Sequence, residues 1–474
     1  MVKYYKDLED LCVFPESENG FLKNLMPSMF SDSPVSSSTL LKEYYSDLIR
    51  YTIHWQSPHF YAFFPANAIP STVIGEMCMI GLNEINLTAS DPLQLKNYDY
   101  EETVLEWIAD MLDLPDCFRA KSGATACIFS AADDSFYSTA LAAKNRQKQK
   151  YPDKNLVDKQ VGYMSIHSNI AVERTIKYSN LNLHLVNSIG KTKIVDEFPV
   201  STEEVEAMFE EDIAKGLYPT LYILTVGSTA SLAIEDIKEV GIACKKYDVW
   251  LHIDSAQLGI YAIVPEKRFI LDDCEYADSF CTNGHKSLGA GLATNFYYTK
   301  HSEFSQWVSY ESKPSKDSPD LSIFDNASKR ITRPTQSNII RIAMFLLSCG
   351  REGLVGEFRR HFALADYFRE LLSREESIEL LETRHKLNTV LFRLKGRDNE
   401  FNAGFLDRIM ESREIFLILS TVHDITFLRL SVGTFTHTRK DIEKVADHII
   451  KIARQVRNKK KLLKRMDCAR ITHG

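Results

Sequence analysis

Between residues 221 and 286 the chain alternates in a way that leaves few folds open. Leu221-Tyr222-Ile223-Leu224-Thr225-Val226 is an apolar run of β-branched and aromatic residues that ends in Gly227-Ser228-Thr229. A helical stretch follows, with Ile237, Val240 and Cys244 on one face, and Val249-Trp250-Leu251-His252-Ile253-Asp254 makes a second strand. Strand, helix, strand at this spacing predicts a parallel βαβ unit, since parallel strands need a long crossover and a helix supplies it. A further strand candidate opens at Tyr276 and runs through Thr282-Asn283-Gly284-His285 into Lys286. Asp254 then stands at the carboxyl end of its strand and Lys286 just beyond the next. That is the edge at which open α/β sheets hold their ligands.

Taken alone, Lys286 reads as a loop lysine with its head in water. Its followers, Ser287-Leu288-Gly289-Ala290-Gly291, are small or apolar and offer little solvation. Partial burial lowers the pKa of an ammonium, and a deprotonated lysine condenses with a carbonyl. An acid brought to the same rim by the preceding strand favours the second reading. Together the two suit pyridoxal phosphate: lysine holds the aldehyde as a Schiff base, and the carboxylate keeps the pyridine nitrogen protonated. The ring can then accept the electrons released when a bond at the substrate Cα breaks. His167, in Tyr163-Met164-Ser165-Ile166-His167-Ser168, follows a plausible strand and is the candidate to lie over the ring face. The plain alternative is a hydrogen-bonded loop histidine.

The remainder of the 474 residues predicts flanking units. Residues 1–75 read as an N-terminal helical segment and arm, with a polar loop at Ser31–Ser38. The aromatic stretch His54-Trp55-Gln56-Ser57-Pro58-His59-Phe60-Tyr61-Ala62-Phe63-Phe64-Pro65 resists regular helix. It is either a buried arm or dimer contact, or an aromatic wall of a pocket, and the two are compatible. Residues 76–345 form the large α/β domain, with helices expected at 101–114 and 135–149. The second of these begins after Ser130-Ala131-Ala132-Asp133-Asp134. Such a helix start can hold a phosphate on its N–H groups, although the two aspartates serve equally well as caps. A polar, proline-containing stretch at 311–330 is a connector or a lid. Residues 346–456 make a smaller α+β domain: a long helix from about 338 to 372 broken at Gly350, strands at 387–394 and 426–432, helices at 403–412 and 439–456. Residues 457–474 form a basic tail.

With a net charge of -7 the chain gives no reason to propose nucleic acid as a partner. Nine cysteines without a CxxC pair argue for reduced thiols in place of a disulfide framework or zinc site. There is no signal-peptide core and no run long enough to span a bilayer, so a cytoplasmic protein without a membrane partner is expected.

The chain resembles the group II pyridoxal-phosphate decarboxylases, in the branch of the aromatic L-amino-acid decarboxylases and the plant tyrosine and tryptophan enzymes. The resemblance runs from about Phe21 to about Ile450. It is carried by His54-Trp55-Gln56-Ser57-Pro58, Phe64-Pro65, Glu102-Thr103-Val104 with Trp107, and His167-Ser168. It continues through Leu251-His252-Ile253-Asp254-Ser255-Ala256, Ala277-Asp278-Ser279-Phe280, His285-Lys286 and Phe392-Arg393-Leu394-Lys395-Gly396. It implies a fold type I architecture: a mostly parallel central sheet flanked by helices, an N-terminal helical arm and a small α+β C-terminal domain. It also implies a homodimer with active sites at the interface, an amino-acid substrate and pyridoxal 5'-phosphate. Lys286 would carry the cofactor, Asp254 would pair with the pyridine nitrogen, His167 would stack on the ring and Ala256 would pack on its other face. Ser228 corresponds to a small hydroxyl residue beside the cofactor, Asn283 and His285 to residues near the phosphate and Lys286, and Ala131 and Ala132 to the phosphate-receiving stretch.

Four departures accompany the resemblance. The family's Gly/Ser-rich phosphate stretch reads Ser130-Ala131-Ala132-Asp133-Asp134. Ser255-Ala256-Gln257-Leu258-Gly259 replaces the usual Ala-Ala-Tyr-Ala-Gly, and Ser287 replaces a tryptophan. No tyrosine lies between Glu311 and Asp366, where the family's lid carries one thought to return a proton to Cα, and the stretch after it reads Arg333-Pro334-Thr335-Gln336-Ser337. In the family, phenylalanine at the lid position accompanies aldehyde synthases, and Phe324 is the nearest candidate. The expected activity is decarboxylation of an aromatic L-amino acid to the amine. The alternatives are an aldehyde synthase releasing aldehyde, ammonia and peroxide, and a catalytically silent dimeric binding protein.

Overall fold

The computed structural model describes residues 2–14, 32–64, 67–82, 95–187, 194–308 and 337–471. The run around Leu221 is a strand of a seven-stranded sheet made of β1 (Thr125–Phe129), β2 (Gln160–Ser165), β3 (Asn182–Val186), β4 (Tyr218–Thr225), β5 (Trp250–Asp254), β6 (Ser279–Asn283) and β7 (Asn295–Thr299). Their order is β1-β7-β6-β5-β4-β2-β3. From β3 to β6 the neighbours are parallel, as the βαβ pattern predicts, whereas β7 runs antiparallel to both β6 and β1. β5 is buried throughout and β4 from Pro219 onward, which explains why both read as near-continuous apolar runs. Leu221, Ile223, Leu224 and Ile253 are fully buried, each worth about 1.5–3 kcal/mol of hydrophobic stabilisation.

Register decides what meets at the rim. Thr225 pairs with Asp254, and Asp254 with Cys281, so the ends of three strands line up. The opposite end is pinned by Asp278, which accepts the Leu251 N–H at 2.9 Å and lies 2.7 Å from His301 Nε2. Between β4 and β5 the helix Ile237–Tyr247 starts on an Asp236 cap, whose Oδ1 accepts the Glu239 N–H. Gly227 turns the chain off β4 at φ +97, where a Cβ would fall 2.6 Å from the Leu258 side chain; only glycine fits this turn.

A second, antiparallel sheet follows: β8 (Ile378–Leu380), β9 (Thr389–Leu394), β10 (Ile418–Val422) and β11 (Ile425–Ser431), in the order β10-β11-β9-β8. The helix leading to it, Ser337–Ser373, loses helical geometry at Gly350 (φ 64), the break the sequence predicts. Helix Asn399–Met410 begins earlier than expected, because Asp398 caps it by accepting the Phe401 N–H. The final helix, expected over 439–456, runs from Arg439 to Ile471.

The aromatic segment links the two sheets. Tyr61 donates its N–H to Phe416 O and accepts from Ser431 N–H, both at 3.0 Å, which stitches it to the small sheet. A few residues later Ala68 forms an isolated bridge with Ala290, in the loop after Lys286. Phe60, Tyr61 and Phe64 of this stretch are buried, and the Phe64 ring faces Lys286. The 311–330 stretch and Phe324 lie outside the described residues. Among the described residues no helix is long and apolar enough to cross a membrane.

Candidate active site

Lys286 follows β6 in a short turn whose backbone at the lysine is non-helical (φ -92, ψ -123). Burial is the largest influence on its ammonium and pulls the pKa down, opposed by the nearby charges of Asp254 and Cys281. Asp254, 7% exposed, is pushed up by burial and held back by Lys286 and by the Ala256 N–H, which donates to its Oδ1 at 3.1 Å. The structure thus brings Lys286, Asp254 and Ala256 together. Each charge of the pair is tolerated because the other is present.

Two further residues complete this corner: Phe64 of the aromatic stretch, and Arg429, which the sequence does not single out. Phe64 presents its ring to Lys286 Nζ at 5.2 Å from the centroid, and the Arg429 guanidinium lies over the same ring at 4.7 Å. Arg429 is 1% exposed; Nη2 donates to Phe63 O at 3.0 Å, while Nε and Nη1 have no partner among the described residues. Burial lowers its pKa to about 10, so it stays charged. A buried guanidinium with open donors is a ready partner for a carboxylate. The signal for it lay in the β11 run, where an arginine interrupts buried apolar residues.

His167 comes two strands beyond Asp254, after β2, with β4 between them. The hydroxyls of its neighbour Ser168 and of Thr225 are 2.8 Å apart, and Thr225 pairs with Asp254 across the ladder. The Thr225 N–H in turn donates to Glu235 at 2.6 Å. Glu235 is fully buried and raised to about 8, chiefly by burial and also by Asp254. Burial, then the neighbouring His423, holds His167 down to about 4, so its imidazole is neutral.

The other expected residues serve the frame around this corner. Asn283 Nδ2 lies 3.2 Å from His285 Nε2, and its Oδ1 accepts from Asn295 at 2.6 Å. His285 Nδ1 lies 2.8 Å from Thr294 O, which orients the imidazole; burial, then Lys286, lowers its pKa to about 4. The Ser228 hydroxyl is engaged inside its own turn, accepting the Ala233 N–H at 3.1 Å. Two of the departures meet: Gln257 Nε2 donates to Ser287 Oγ at 3.2 Å in the buried interior. They form one substituted contact, not two separate losses.

At the helix start, Ala131 provides no side-chain cap for Ala132–Lys150, and its own N–H donates to Asp134 at 3.2 Å. The first-turn N–H groups thus keep their anion-binding character, but Asp133 stands exposed among them, and its charge is felt at both Asp254 and Lys286. Pyridoxal phosphate fits these residues at its aldehyde and ring ends, with a half-buried lysine and a buried carboxylate in place. At the phosphate end the uncapped helix start is suitable and the Asp133 charge is adverse.

A parallel sheet that delivers an acid and a lysine on successive strand ends defines a fold type I pyridoxal-phosphate enzyme. The pyridoxal-dependent decarboxylase conserved domain matches residues 20–395, and the chain belongs to that family. It is 26% identical over 450 residues to a phenylacetaldehyde synthase of Petunia hybrida, covering 91% of this chain and 88% of that one. Identity to a tyrosine decarboxylase of Papaver somniferum is 28% over 464 residues, covering 93% and 90%. The crystal structure of Catharanthus roseus tryptophan decarboxylase in complex with L-tryptophan superposes with a TM-score of 0.86 at 27% identity, over 96% of both chains.

Proposed function

We propose that this protein decarboxylates an aromatic L-amino acid to the corresponding amine and carbon dioxide. The observation that carries the reading is the half-buried Lys286 beside the buried Asp254, with Phe64 and the guanidinium of Arg429 above it. Lys286, its ammonium disfavoured by burial, supplies the amine that would hold the cofactor aldehyde. Asp254 would keep a proton on the pyridine nitrogen, and Ala256 and the neutral His167 would hold the ring. Bound there, pyridoxal phosphate supplies an electron-poor ring that takes up the electron pair freed when the Cα–carboxylate bond breaks. Arg429 orients the carboxylate of the amino acid, and the aromatic wall around Phe64 favours a flat, apolar side chain. Ala131 and Ala132 would receive the phosphate, Asn283 and His285 would lie near it and Lys286, and Ser228 would stand beside the cofactor.

The enzyme acts as a homodimer. An exposed apolar face of Ile74, Met77 and Ile80 on the helix Pro70–Leu82, with Leu347 exposed on the helix packed against it, is the surface a second copy would cover. Free thiols throughout the described cysteines fit a reducing cytoplasm. A second reading, an aldehyde synthase, is favoured by the absence of tyrosine between Glu311 and Asp366.

The purified protein should be dimeric in light scattering and yellow, with borohydride fixing the cofactor on Lys286. Tyrosine, tryptophan or dopa should yield amine without peroxide; aldehyde with stoichiometric peroxide would establish the second reading. Lys286→Ala should abolish the yellow band and either reaction. A colourless protein that takes up no added cofactor would overturn both and leave a silent binding fold.

A further inference from the structure

The turn between β10 and β11 contains only His423 and Asp424, both in left-handed backbone (φ 50 and 62). A two-residue hairpin of this type is cheapest with glycine or asparagine, so the histidine gains nothing from the turn itself. Its ring instead stands edge-on to His167, 5.5 Å between centroids at 78°. On the same imidazole, Phe198 stacks face to face at 3.8 Å and 11°. One face and one edge of His167 are therefore covered by two residues from distant parts of the chain, leaving the other face for the cofactor ring.

Both covering residues are anchored. Phe198, 3% exposed, sits in an apolar cluster with Val195, Ala233, Leu391, Val422 and Phe427, which joins the large sheet's loops to the small sheet. Two residues before it, Asp196 accepts the N–H groups of Arg384 and His385 at 2.7 and 2.9 Å. The hairpin tip is held from behind by Asn399, which donates to Asp424 O at 2.8 Å and accepts the Thr426 N–H at 3.0 Å. Meanwhile, among the described residues, His167 Nε2 and both ring nitrogens of His423 are buried without a hydrogen-bond partner. Packing against Phe198 and His423 holds one face and one edge of the His167 ring.

We infer that Phe198 and His423 are positioning residues that clamp the His167 imidazole parallel to the cofactor ring, so that the small domain sets the geometry of a group in the large one. This rests on the reading of His167 as the residue stacked on the cofactor. It extends that reading by naming what holds the stack and by assigning a purpose to an uncommon turn residue.

The test uses the holoenzyme and three variants: His423→Asn, which keeps a turn-compatible residue; Phe198→Leu, which keeps an apolar side chain; and His167→Ala. The readouts are the visible circular dichroism of the bound cofactor, cofactor affinity, and kcat and KM separately. His423→Asn and Phe198→Leu should each reduce the dichroic band at least twofold and lower kcat by about tenfold with KM nearly unchanged, the signature of a misplaced group. In a His167→Ala background neither substitution should change the band further, because both act through that ring. Wild-type dichroism and kcat in both single variants, or an equal effect with and without His167, would overturn the inference. If His167→Ala alone leaves dichroism and affinity unchanged, the stacking reading itself fails, and this inference fails with it.

Discussion

Asp254 and Asp133 are felt at the same lysine and are treated in opposite ways. Asp254 is buried at a strand end, its cost offset by Lys286 and a backbone N–H. Asp133 is exposed on the first turn of a helix, beside N–H groups suited to an anion. One acid is part of a compensated pair, the other an adverse charge left to solvent. The ring end of the cofactor site is therefore built for tight electrostatics in low dielectric, and the phosphate end for weak, screened electrostatics.

The most direct way to break this contrast is Asp254→Asn. Removing the buried carboxylate should lower decarboxylation roughly 10²–10³-fold, the scale of losing one preorganised electrostatic group, while the protein remains folded by circular dichroism. Loss below tenfold would mean that the strand-end pair is not the electrostatic centre. Asp133→Ser tests the other end and should act in the opposite direction, tightening pyridoxal-phosphate affinity by about tenfold in fluorescence titration. The gain should shrink as salt is raised, because Asp133 is exposed; a gain independent of salt would count against a charge effect.

A third acid gives the smallest effect and sharpens the comparison. Glu235 has no cation paired with it among the described residues and is raised to about 8 by burial. Between its ordinary 4.5 and about 8, the unfolded chain releases a proton that the fold keeps, so this group makes stability fall as pH rises through that window. His167 and His285, lowered to about 4 from 6.5, act the other way: stability falls as pH drops from 6.5 towards 4. Glu235→Gln retains an oxygen to accept the Thr225 N–H and should leave the unfolding midpoint unchanged near pH 5. At pH 8 it should raise it by about 3 °C. An equal shift at both pH values would show that Glu235 is not protonated in the fold.

Much of this site could be read from the chain because strand ends are local. Once β5 and β6 are recognised by their apolar runs, Asp254 and Lys286 fall at one rim with no further knowledge. Arg429 and Phe64 could not be read this way. They meet Lys286 only because the aromatic arm is stitched to the far sheet, a contact that no spacing encodes. Gln257 and Ser287 looked like two independent departures, and their hydrogen bond shows that they are one. The helix expected from 135 begins at Ala132, because its first turn lacks the cap residue that would have marked it. The clamp on His167 was hidden for a similar reason: a histidine in a two-residue turn has no signature until its neighbour across the domain boundary is known.

The stitching of the arm also has a consequence in time. Arg429 and its acceptor Phe63 are 366 positions apart in the chain. At ribosomal rates of about 10 residues per second, the aromatic wall emerges roughly half a minute before its guanidinium partner exists. The parallel sheet can form meanwhile, but the corner around Lys286 stays open and exposes Phe60, Phe63 and Phe64 until β11 has been made. Contacts this distant in sequence fold slowly. The site closes last, and a nascent chain stalled before β11 would present its aromatic arm to whatever chaperone or aggregate reaches it first.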